Sequence, residues 1–332
     1  MCVFIITQQE VIMIRFGFDL GANHIRLISK EDGLVFDEPC MVALDRKNRV
    51  IAIGNEAKDM KGMDESIRVI SPLGQKEIDF DALNLLMEQL CYQFNVFRVF
   101  QKTELIVSYP TSFTDEQCED LKQNLLEFGA YRVYMDQEIW MAAIGANLDL
   151  FLPVSSCILN IGYSNCDIAL FSSGKMQKKS NSSISGKSIN YLIGKWVRQE
   201  YGLIISEHMK EKINKGIATA LMYSYPKQMH VQGMDVHYHQ IKVITINSNQ
   251  LVNLIQSIIQ QWANWIEQFV NGCTPVQKED IISRGIICCG GVMKLPGIAQ
   301  TLRQRLPYPF YITDDPEQTV SQGIYILLSR ME

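Results

Sequence analysis

Residues 16–23 read FGFDLGAN, and residues 158–165 read ILNIGYSN. In both stretches apolar strand residues run into an Asp/Asn-x-Gly turn, which a polar loop and a second strand follow, and Asn160 stands 141 positions after Asp19. Glycine in such a turn lets backbone N–H groups approach a phosphate, and a carboxylate before it can hold a metal ion or its waters. The pattern predicts two related hairpins that clamp the phosphate tail of a nucleotide.

A third glycine element follows a buried strand near the end of the chain. The strand covers residues 285–289 and leads into Gly290 and Gly291, where glycine backbone would let a base or ribose lie flat. The alternative is that all three elements are tight turns in a duplicated fold. The set favours nucleotide binding, and the alternative stays open.

Composition indicates a globular protein of about two domains. The 332 residues are 47% apolar and 20% charged, and the net charge of −5 argues against a nucleic-acid partner, for which a basic surface is expected. The nine cysteines form no CxxC pair, which argues against a zinc site, and several lie within apolar runs as small core residues of a reducing compartment. No stretch approaches the ~20 apolar residues that span a bilayer.

The first twelve residues allow three interpretations. Residues 1–7 read MCVFIIT, which is apolar but lacks the basic flank of a signal peptide. The extension, residues 1–12, is an extra strand, an upstream start before a chain that begins at Met13, or a short membrane-inserting tail.

Strand and helix patterns alternate from residue 83 to residue 147 and again after the second hairpin. Thr114 and Gln117 form a capping box that begins one helix, Ser248 is expected to cap a long helix, and Asp315 is expected to begin a terminal one. We therefore predict an α/β fold of two halves with mainly parallel strands.

The chain resembles the bacterial actins of the MreB/Mbl type, within the superfamily of actin-like ATPases. The stretches that carry the resemblance keep their order over about residues 13–330: FGFDLG at 16–21, DEP at 37–39, AIGA at 143–146, SRGI at 283–286, CGG at 289–291 and DDP at 314–316. The resemblance implies an actin-like fold: two similar halves, each with a mixed, mainly parallel sheet flanked by helices, plus smaller inserted subdomains. The first half would comprise residues 13–144 and 316–332, with its insert at about 33–79, and the second residues 145–315, with its insert at about 185–246.

By the same resemblance we expect a cytoskeletal protein that binds ATP with Mg²⁺ in a cleft between the halves. It would assemble into filaments at the inner face of the cell membrane, govern cell shape and organise cell-wall synthesis, and so be cytoplasmic and peripheral to the membrane. The expected partners are further copies of the chain, other MreB-like proteins and the cell-wall synthesis machinery, with no nucleic acid.

The resemblance also assigns site residues. Gln137 would position the attacking water, and Mg²⁺ would be held through Asp19 and Asn160 once nucleotide binds, with no metal site from the protein alone. Glu207 and Lys210 have an alternative interpretation as an i,i+3 pair on a solvated helix surface. The expected nucleotide-binding residues are Asp19, Gly21, Ala22, Asn23, His24, Asn160, Gly162, Tyr163, Ser164, Asn165, Glu207, Lys210, Gly290, Gly291, Val292 and Met293.

Five of these positions depart from the family pattern. Ala22 replaces a hydroxyl residue, and Asn160 offers a metal ion a carbonyl oxygen without charge. Tyr163 replaces a glycine and obstructs the approach of the backbone to a phosphate. Asn165 replaces a threonine, and Gln137 replaces a water-activating glutamate. We therefore expect nucleotide binding with weak or absent ATP hydrolysis.

Residues 95–102 read NVFRVFQK and join a helix to a strand. The corresponding loop of MreB-type proteins inserts into the membrane, and Phe97 with Arg98 suits shallow insertion beside anionic headgroups. The alternative is that Phe97 or Phe100 packs under the sheet.

The sequence is compatible with two other functions. One is a nucleotide-free adaptor that co-assembles with other bacterial actins. The other is a small-molecule kinase of the same superfamily, although the second loop is poorly suited to phosphate transfer.

Overall fold

The computed structural model describes residues 12–74 and 78–332. The chain divides into two compact units, of which the first contains Met1–Met141 and Ser321–Glu332 and the second contains Ala142–Val320. The three interpretations of the N-terminal extension fall on residues that lie outside the described ones, except for Ile12, and stay predictions. Among the described residues, none of the helices combines the length and the apolar character that spanning a bilayer requires.

The first unit opens with five strands and then alternates helices and strands. In chain order its elements are β1 (Met13–Leu20), β2 (His24–Ser29), β3 (Gly33–Pro39), β4 (Val42–Leu44), β5 (Val50–Ile53), α1 (Gly54–Asp59), β6 (Arg68–Ile70), α2 (Phe80–Gln93), β7 (Lys102–Tyr109), α3 (Asp115–Phe128), β8 (Arg132–Gln137) and α4 (Glu138–Gly145), which continues into the second unit.

The second unit also opens with consecutive strands, which helices and further strands follow. It contains β9 (Ser156–Ile161), β10 (Cys166–Ser172), β11 (Lys175–Ser182), α5 (Gly186–Tyr201), β12 (Leu203–Ile204), α6 (Glu207–Ile217), β13 (Gln228–Asp235), β14 (Ile241–Asn247), α7 (Ser248–Asn271), α8 (Pro275–Arg284), β15 (Ile286–Cys289), α9 (Ile298–Arg305) and β16 (Phe310–Ile312). Helix α10 (Thr319–Arg330) then returns the chain to the first unit.

The two main sheets have the same topology. One has the strand order β3-β2-β1-β7-β8 and the other β11-β10-β9-β15-β16. In each, three consecutive strands form an antiparallel meander, and two further strands run parallel to its first strand, β1 or β9. Each unit also carries a small sheet, β5-β4-β6 in the first and β12-β13-β14 in the second. The predicted duplication and the two hairpins, β1–β2 and β9–β10, are confirmed.

Both faces of β1 are covered, which explains its nearly continuous run of buried residues. Phe16 and Phe18 pack with side chains of α2 and α3 in the first hydrophobic core. On the other face, α10 lies directly on the strand, because a Cβ at Gly17 would come within 2.2 Å of Ile324 Cγ2. A larger second core packs around α7, whose Trp262 is fully buried.

Two predicted helix starts are wrong, and one is confirmed. Thr114 and Gln117 form the predicted capping box of α3. Helix α7 is capped by Asn247, which forms a capping box with Gln250. Ser248 is the first residue of the helix, and its hydroxyl accepts a hydrogen bond from Lys227 N–H at 3.2 Å rather than capping the helix. Helix α10 starts at Thr319 rather than at Asp315. The local sequence offers adjacent capping residues, and longer-range contacts choose between them.

Candidate functional site

The first hairpin places a carboxylate at the end of β1. Asp19 pairs across the ladder with Arg26, and both side chains are buried. The Asp19 Oδ2 atom accepts a hydrogen bond from Arg26 Nη1 at 3.2 Å and another from Ser321 Oγ at 2.8 Å. The carboxylate at the expected metal position is therefore engaged by a cation that the chain itself supplies.

Arg26 is shared between two carboxylates. Its Nε lies 3.1 Å from Asp37 Oδ1 on β3, and His24 Nδ1 lies 2.7 Å from the same oxygen. Burial alone would lower the pKa of the Arg26 guanidinium, but the Asp19 and Asp37 carboxylates raise it above its ordinary value. Burial alone would raise the pKa of Asp37, but hydrogen bonds from His24 and Arg26 lower it. Arg26 and Asp37 are therefore held in their charged forms.

The turn glycines are required by the hairpins themselves. A Cβ on Gly21 would come within 2.6 Å of the His24 carbonyl oxygen, and one on Gly162 within 3.1 Å of the Asn165 carbonyl oxygen. The Gly162 N–H also donates to that Asn165 oxygen at 2.8 Å. In the first loop, the Asn23 carbonyl oxygen accepts from the N–H of a neighbouring segment, and Ala22 packs against the first core. The contact of these residues with a nucleotide stays a prediction.

The second hairpin is closed by the start of helix α5. Gly186 N–H donates to the Gly162 carbonyl oxygen at 3.0 Å. Lys187 N–H donates to the Tyr163 carbonyl oxygen at 2.8 Å. The half-buried Tyr163 side chain hydrogen-bonds to Asn190 of α5, and burial raises the pKa of the Tyr163 hydroxyl. N–H groups at a helix N-terminus bind phosphate in many nucleotide sites. Here the carbonyl groups of the loop occupy two of them.

Two serine hydroxyls near the hairpins have no hydrogen-bond partner within the described parts of the chain. Ser108 is fully buried and pairs with Asp19 across β1 and β7. Ser164 lies in the loop of the second hairpin, and its Oγ atom is buried. Because buried polar groups are normally hydrogen-bonded, each of these hydroxyls can receive a partner from a ligand or a water.

The third glycine element lies against the second hairpin. Gly290 has φ 93°, and a Cβ on it would come within 2.4 Å of the Ile161 carbonyl oxygen and 2.6 Å of Asn160 Oδ1. Its N–H donates to the Pro316 carbonyl oxygen at 2.6 Å. Asn160 is buried beneath this glycine. The Asn160 side chain, which is expected to hold the metal, is thus packed against the backbone of Gly290.

The residues that follow Gly291 face the protein. Val292 lies against the start of α5, since a Cβ on Gly186 would come within 3.0 Å of Val292 Cγ2. Met293 is buried, and its side chain packs in the second core, while its expected contact with a nucleotide stays a prediction. The backbone of this segment remains the candidate for the nucleoside contact.

Glu207 and Lys210 form an ion pair on α6. The Lys210 side chain also lies over α5, because a Cβ on Gly194 would come within 2.5 Å of Lys210 Cε. The i,i+3 pair that the sequence offered as an alternative is therefore present. A nucleotide contact of either residue stays a prediction.

Gln137 ends β8 and is half-buried. The next residue, Glu138, begins α4 and is buried with an exposed fraction of 8%. Sequence reasoning missed this carboxylate, although a charged residue at the first position of an apolar helix signals a helix start. Glu138 directly follows the expected water-positioning residue in the chain.

The donor set does not fit a Mg²⁺ ion held through Asp19 and Asn160. Asp19 Oδ2 is bonded to a guanidinium and a hydroxyl, and Asn160 carries no charge. Hard divalent cations prefer carboxylate oxygens, and a neighbouring cation repels them. Within residues 12–74 and 78–332, no three acidic, histidine or cysteine side chains come together as a metal-ligating set. The observed contacts of Asp19 and Asn160 argue against the expected metal contact, which stays a prediction.

Residues 95–102 contain one partly buried phenylalanine and two exposed apolar side chains. Phe97 is half-buried and packs against the first core, where a Cβ on Gly129 would lie 3.4 Å from Phe97 Cγ. Val99 and Phe100 have exposed fractions of 79% and 93%. Phe100 also has φ 65°, a conformation that is uncommon for a bulky side chain. The membrane contact of Phe97 and Arg98 stays a prediction, and Val99 and Phe100 are the exposed apolar side chains of this segment.

Two similar units, each with a meander, two parallel strands and an Asp/Asn-x-Gly hairpin, define an actin-like fold. The family model described as MreB/Mbl protein matches residues 13–332. The chain therefore belongs to the MreB/Mbl family.

The most similar relatives cover nearly the whole chain. The cell shape-determining protein Mbl of Bacillus subtilis is 29% identical over 95% of this chain and 96% of its own. MreB5 of Spiroplasma citri, solved bound to AMPPNP and to ADP, has a TM-score of 0.88 and 26% identity over 95% of this chain and 96% of its own. The MamK double helical filament has a TM-score of 0.80 over 96% of this chain and 100% of its own, and its 14% identity supports the fold alone.

Proposed function

We propose that this chain is a cytoskeletal filament subunit that binds adenine nucleotide and hydrolyses it weakly or not at all. The observation that carries the proposal is the closure of the second hairpin by helix α5, with Tyr163 hydrogen-bonded to Asn190. Its relatives are named as cell shape-determining proteins, and we propose the same role for this chain, with nucleotide as an assembly ligand.

Two observations support nucleotide binding. The Ser164 hydroxyl, in the loop of the second hairpin, has no partner in the described residues and is a suitable phosphate donor. The related MreB5 of Spiroplasma citri has been solved with AMPPNP and with ADP. The segment from Gly290 to Val292 supplies backbone for the nucleoside, and Glu207 and Lys210 are the proposed side-chain contacts there.

Weak hydrolysis follows from the same residues. Asp19 is paired with Arg26, Asn160 is uncharged, and two N–H groups of the α5 N-terminus are bonded to the second loop. Phosphate transfer depends on positioned donors and on cations that neutralise the developing charge. Gln137 can orient a water without removing its proton.

The first prediction concerns turnover. We expect purified full-length chain to bind ATP in calorimetry and to release phosphate about tenfold or more slowly than Bacillus subtilis Mbl assayed in parallel. Sedimentation in the same tube, with and without ATP, tests assembly, because a scaffold would pellet without phosphate release. Turnover at the rate of the relative would refute weak hydrolysis.

The same assay separates the alternatives. An adaptor that needs no nucleotide would show no heat of ATP binding and would pellet only with another MreB-like protein. A kinase would consume ATP only when a small-molecule acceptor is added. Either result would replace the proposed function.

We also propose that the filament lies at the inner face of the cell membrane and contacts it through residues 95–102. Val99 and Phe100 are exposed, and Arg98 and Lys102 flank them with positive charge. Apolar side chains between cations favour shallow insertion into a membrane with anionic lipids. Copies of the chain, other MreB-like proteins and the cell-wall synthesis machinery are the proposed partners.

The second prediction tests this surface. Phe100→Ser should lower the fraction that pellets with anionic liposomes, because burying a phenylalanine contributes about 2 kcal/mol, which is more than tenfold in partitioning. The matched control is Tyr92→Ser, an aromatic with an exposed fraction of 80% on α2 of the same unit. Equal losses for the two variants would argue against membrane contact through this segment.

A further inference from the structure

The two hairpins differ in the charge of their cross-strand partners. In the first, Asp19 lies opposite Arg26 across β1 and β2. In the second, Asn160 lies opposite Asp167 across β9 and β10. The position before the turn is therefore a carboxylate that faces a guanidinium in one hairpin and an uncharged amide that faces a carboxylate in the other.

Arg26 is fixed in place by its surroundings. Its side chain has an exposed fraction of 8% and lies between the Asp19 and Asp37 carboxylates. Asp37 is held in turn by His24, and Asp19 by Ser321 Oγ. An arginine bound on both sides in this way is a permanent part of the hairpin, because its charge and its position are both set by the fold.

We propose that Arg26 is a built-in counter-cation of the first hairpin, which takes the place of a divalent metal ion, so that the phosphate tail binds without Mg²⁺. The inference rests on the proposed nucleotide binding. A carboxylate next to a phosphate repels it unless a cation stands between or beside them. Arg26 supplies that cation to Asp19, and its positive charge repels a Mg²⁺ ion from the same carboxylate.

The alternative, that Mg²⁺ displaces Arg26 when nucleotide binds, has a clear cost. Arg26 would leave two carboxylates for which it is the shared cation, and both lie in a buried or half-buried position. Removing one partner of such a group leaves uncompensated charge. The fold therefore favours the retained arginine.

The test compares nucleotide affinity with and without metal. Binding of ATP and of ADP to the full-length chain is measured by calorimetry in excess MgCl₂ and in excess EDTA. We expect the two dissociation constants to agree within about threefold for each nucleotide. Binding that is weaker in EDTA by about tenfold or more would overturn the inference while leaving nucleotide binding intact.

A second measurement uses metal alone and does not depend on nucleotide. Binding of Mn²⁺ to the nucleotide-free protein is followed by electron paramagnetic resonance. We expect no Mn²⁺ site in the unmodified chain or in Arg26→Lys, which keeps the charge, and a new site in Arg26→Met, with folding checked by circular dichroism. Mn²⁺ binding by the unmodified chain that is lost in Asp19→Asn would overturn the inference. This comparison does not depend on whether Arg26→Met folds. Absence of ATP and ADP binding in both buffers would instead refute the proposed nucleotide function, and with it the nucleotide part of the inference, while the Mn²⁺ result would still decide the metal part.

Discussion

Gly290→Ala is expected to lower the free energy of unfolding by about 2–6 kcal/mol. The residue has φ 93° and ψ 151°, a region that is essentially confined to glycine and where an L side chain is strained by about 1–3 kcal/mol. The added Cβ would also come within 2.4 Å of the Ile161 carbonyl oxygen, and such overpacking against backbone costs about 1–3 kcal/mol more. Guanidinium unfolding of the full-length chain, followed by circular dichroism, measures the loss.

Gly291→Ala is the matched control for this substitution. A Cβ on Gly291 would have its nearest neighbour, the Glu317 side chain, at 3.9 Å, which is ordinary contact. We expect the control to change the stability by less than about 1 kcal/mol. Equal effects of the two substitutions would contradict the close packing of Gly290 against the end of β9. A loss confined to Gly290→Ala would support it.

The glycines predicted to bind a nucleotide also have a role in the fold. Gly21, Gly162 and Gly290 were predicted to let backbone approach a nucleotide. Each also makes a close approach to the protein's own backbone, at the His24, Asn165 and Ile161 carbonyl oxygens. Local turn chemistry therefore predicts where glycine is required, but it does not say whether a ligand or the fold requires it.

The fold was predictable because its signals are local. Apolar strand runs, the Thr114 capping box and the repeated hairpin identify two α/β units, and each signal lies within a few residues of sequence. The errors in helix starts arose where neighbouring residues offer equivalent caps. Ser248 and Asn247 are both good capping residues, and the choice depends on the Ser248 contact with Lys227, 21 residues away in sequence.

The state of the candidate site was not predictable, because distant residues determine it. The sequence predicts Asp19 to be a metal ligand, but in the structure Arg26 and Ser321 both donate hydrogen bonds to its Oδ2. Ser321 lies 302 positions away in sequence. Tyr163 reads as an obstruction, but the structure adds its hydrogen bond to Asn190 on α5. A single sequence carries no signal for the Ser321 and Asn190 contacts, since neither follows from periodicity or spacing.

Trp262→Ala is expected to have a comparably large effect, of about 4–5 kcal/mol. Trp262 is fully buried in the second core, and its indole Nε1–H donates to the Ile184 carbonyl oxygen at 2.7 Å. Ile184 directly precedes Ser185, the residue before α5, which closes the second hairpin. The substitution leaves a cavity and an unpaired carbonyl group, so it destabilises the support of that loop as well as the core. Thermal and guanidinium unfolding measure the stability.

Trp265→Ala is the matched control on the same helix. Trp265 is half-buried at the edge of the second core and donates to Ser180 Oγ at 3.0 Å, so its removal opens less volume. We expect its loss to be about 1–2 kcal/mol, because the space is partly open to water and the serine hydroxyl can be resolvated. Trp262→Phe should fall between the two, since it keeps most of the volume and loses only the hydrogen bond. A loss for Trp262→Ala no larger than that for Trp265→Ala would mean that the second core repacks around the cavity, and that the α5 segment does not depend on Trp262 for its position.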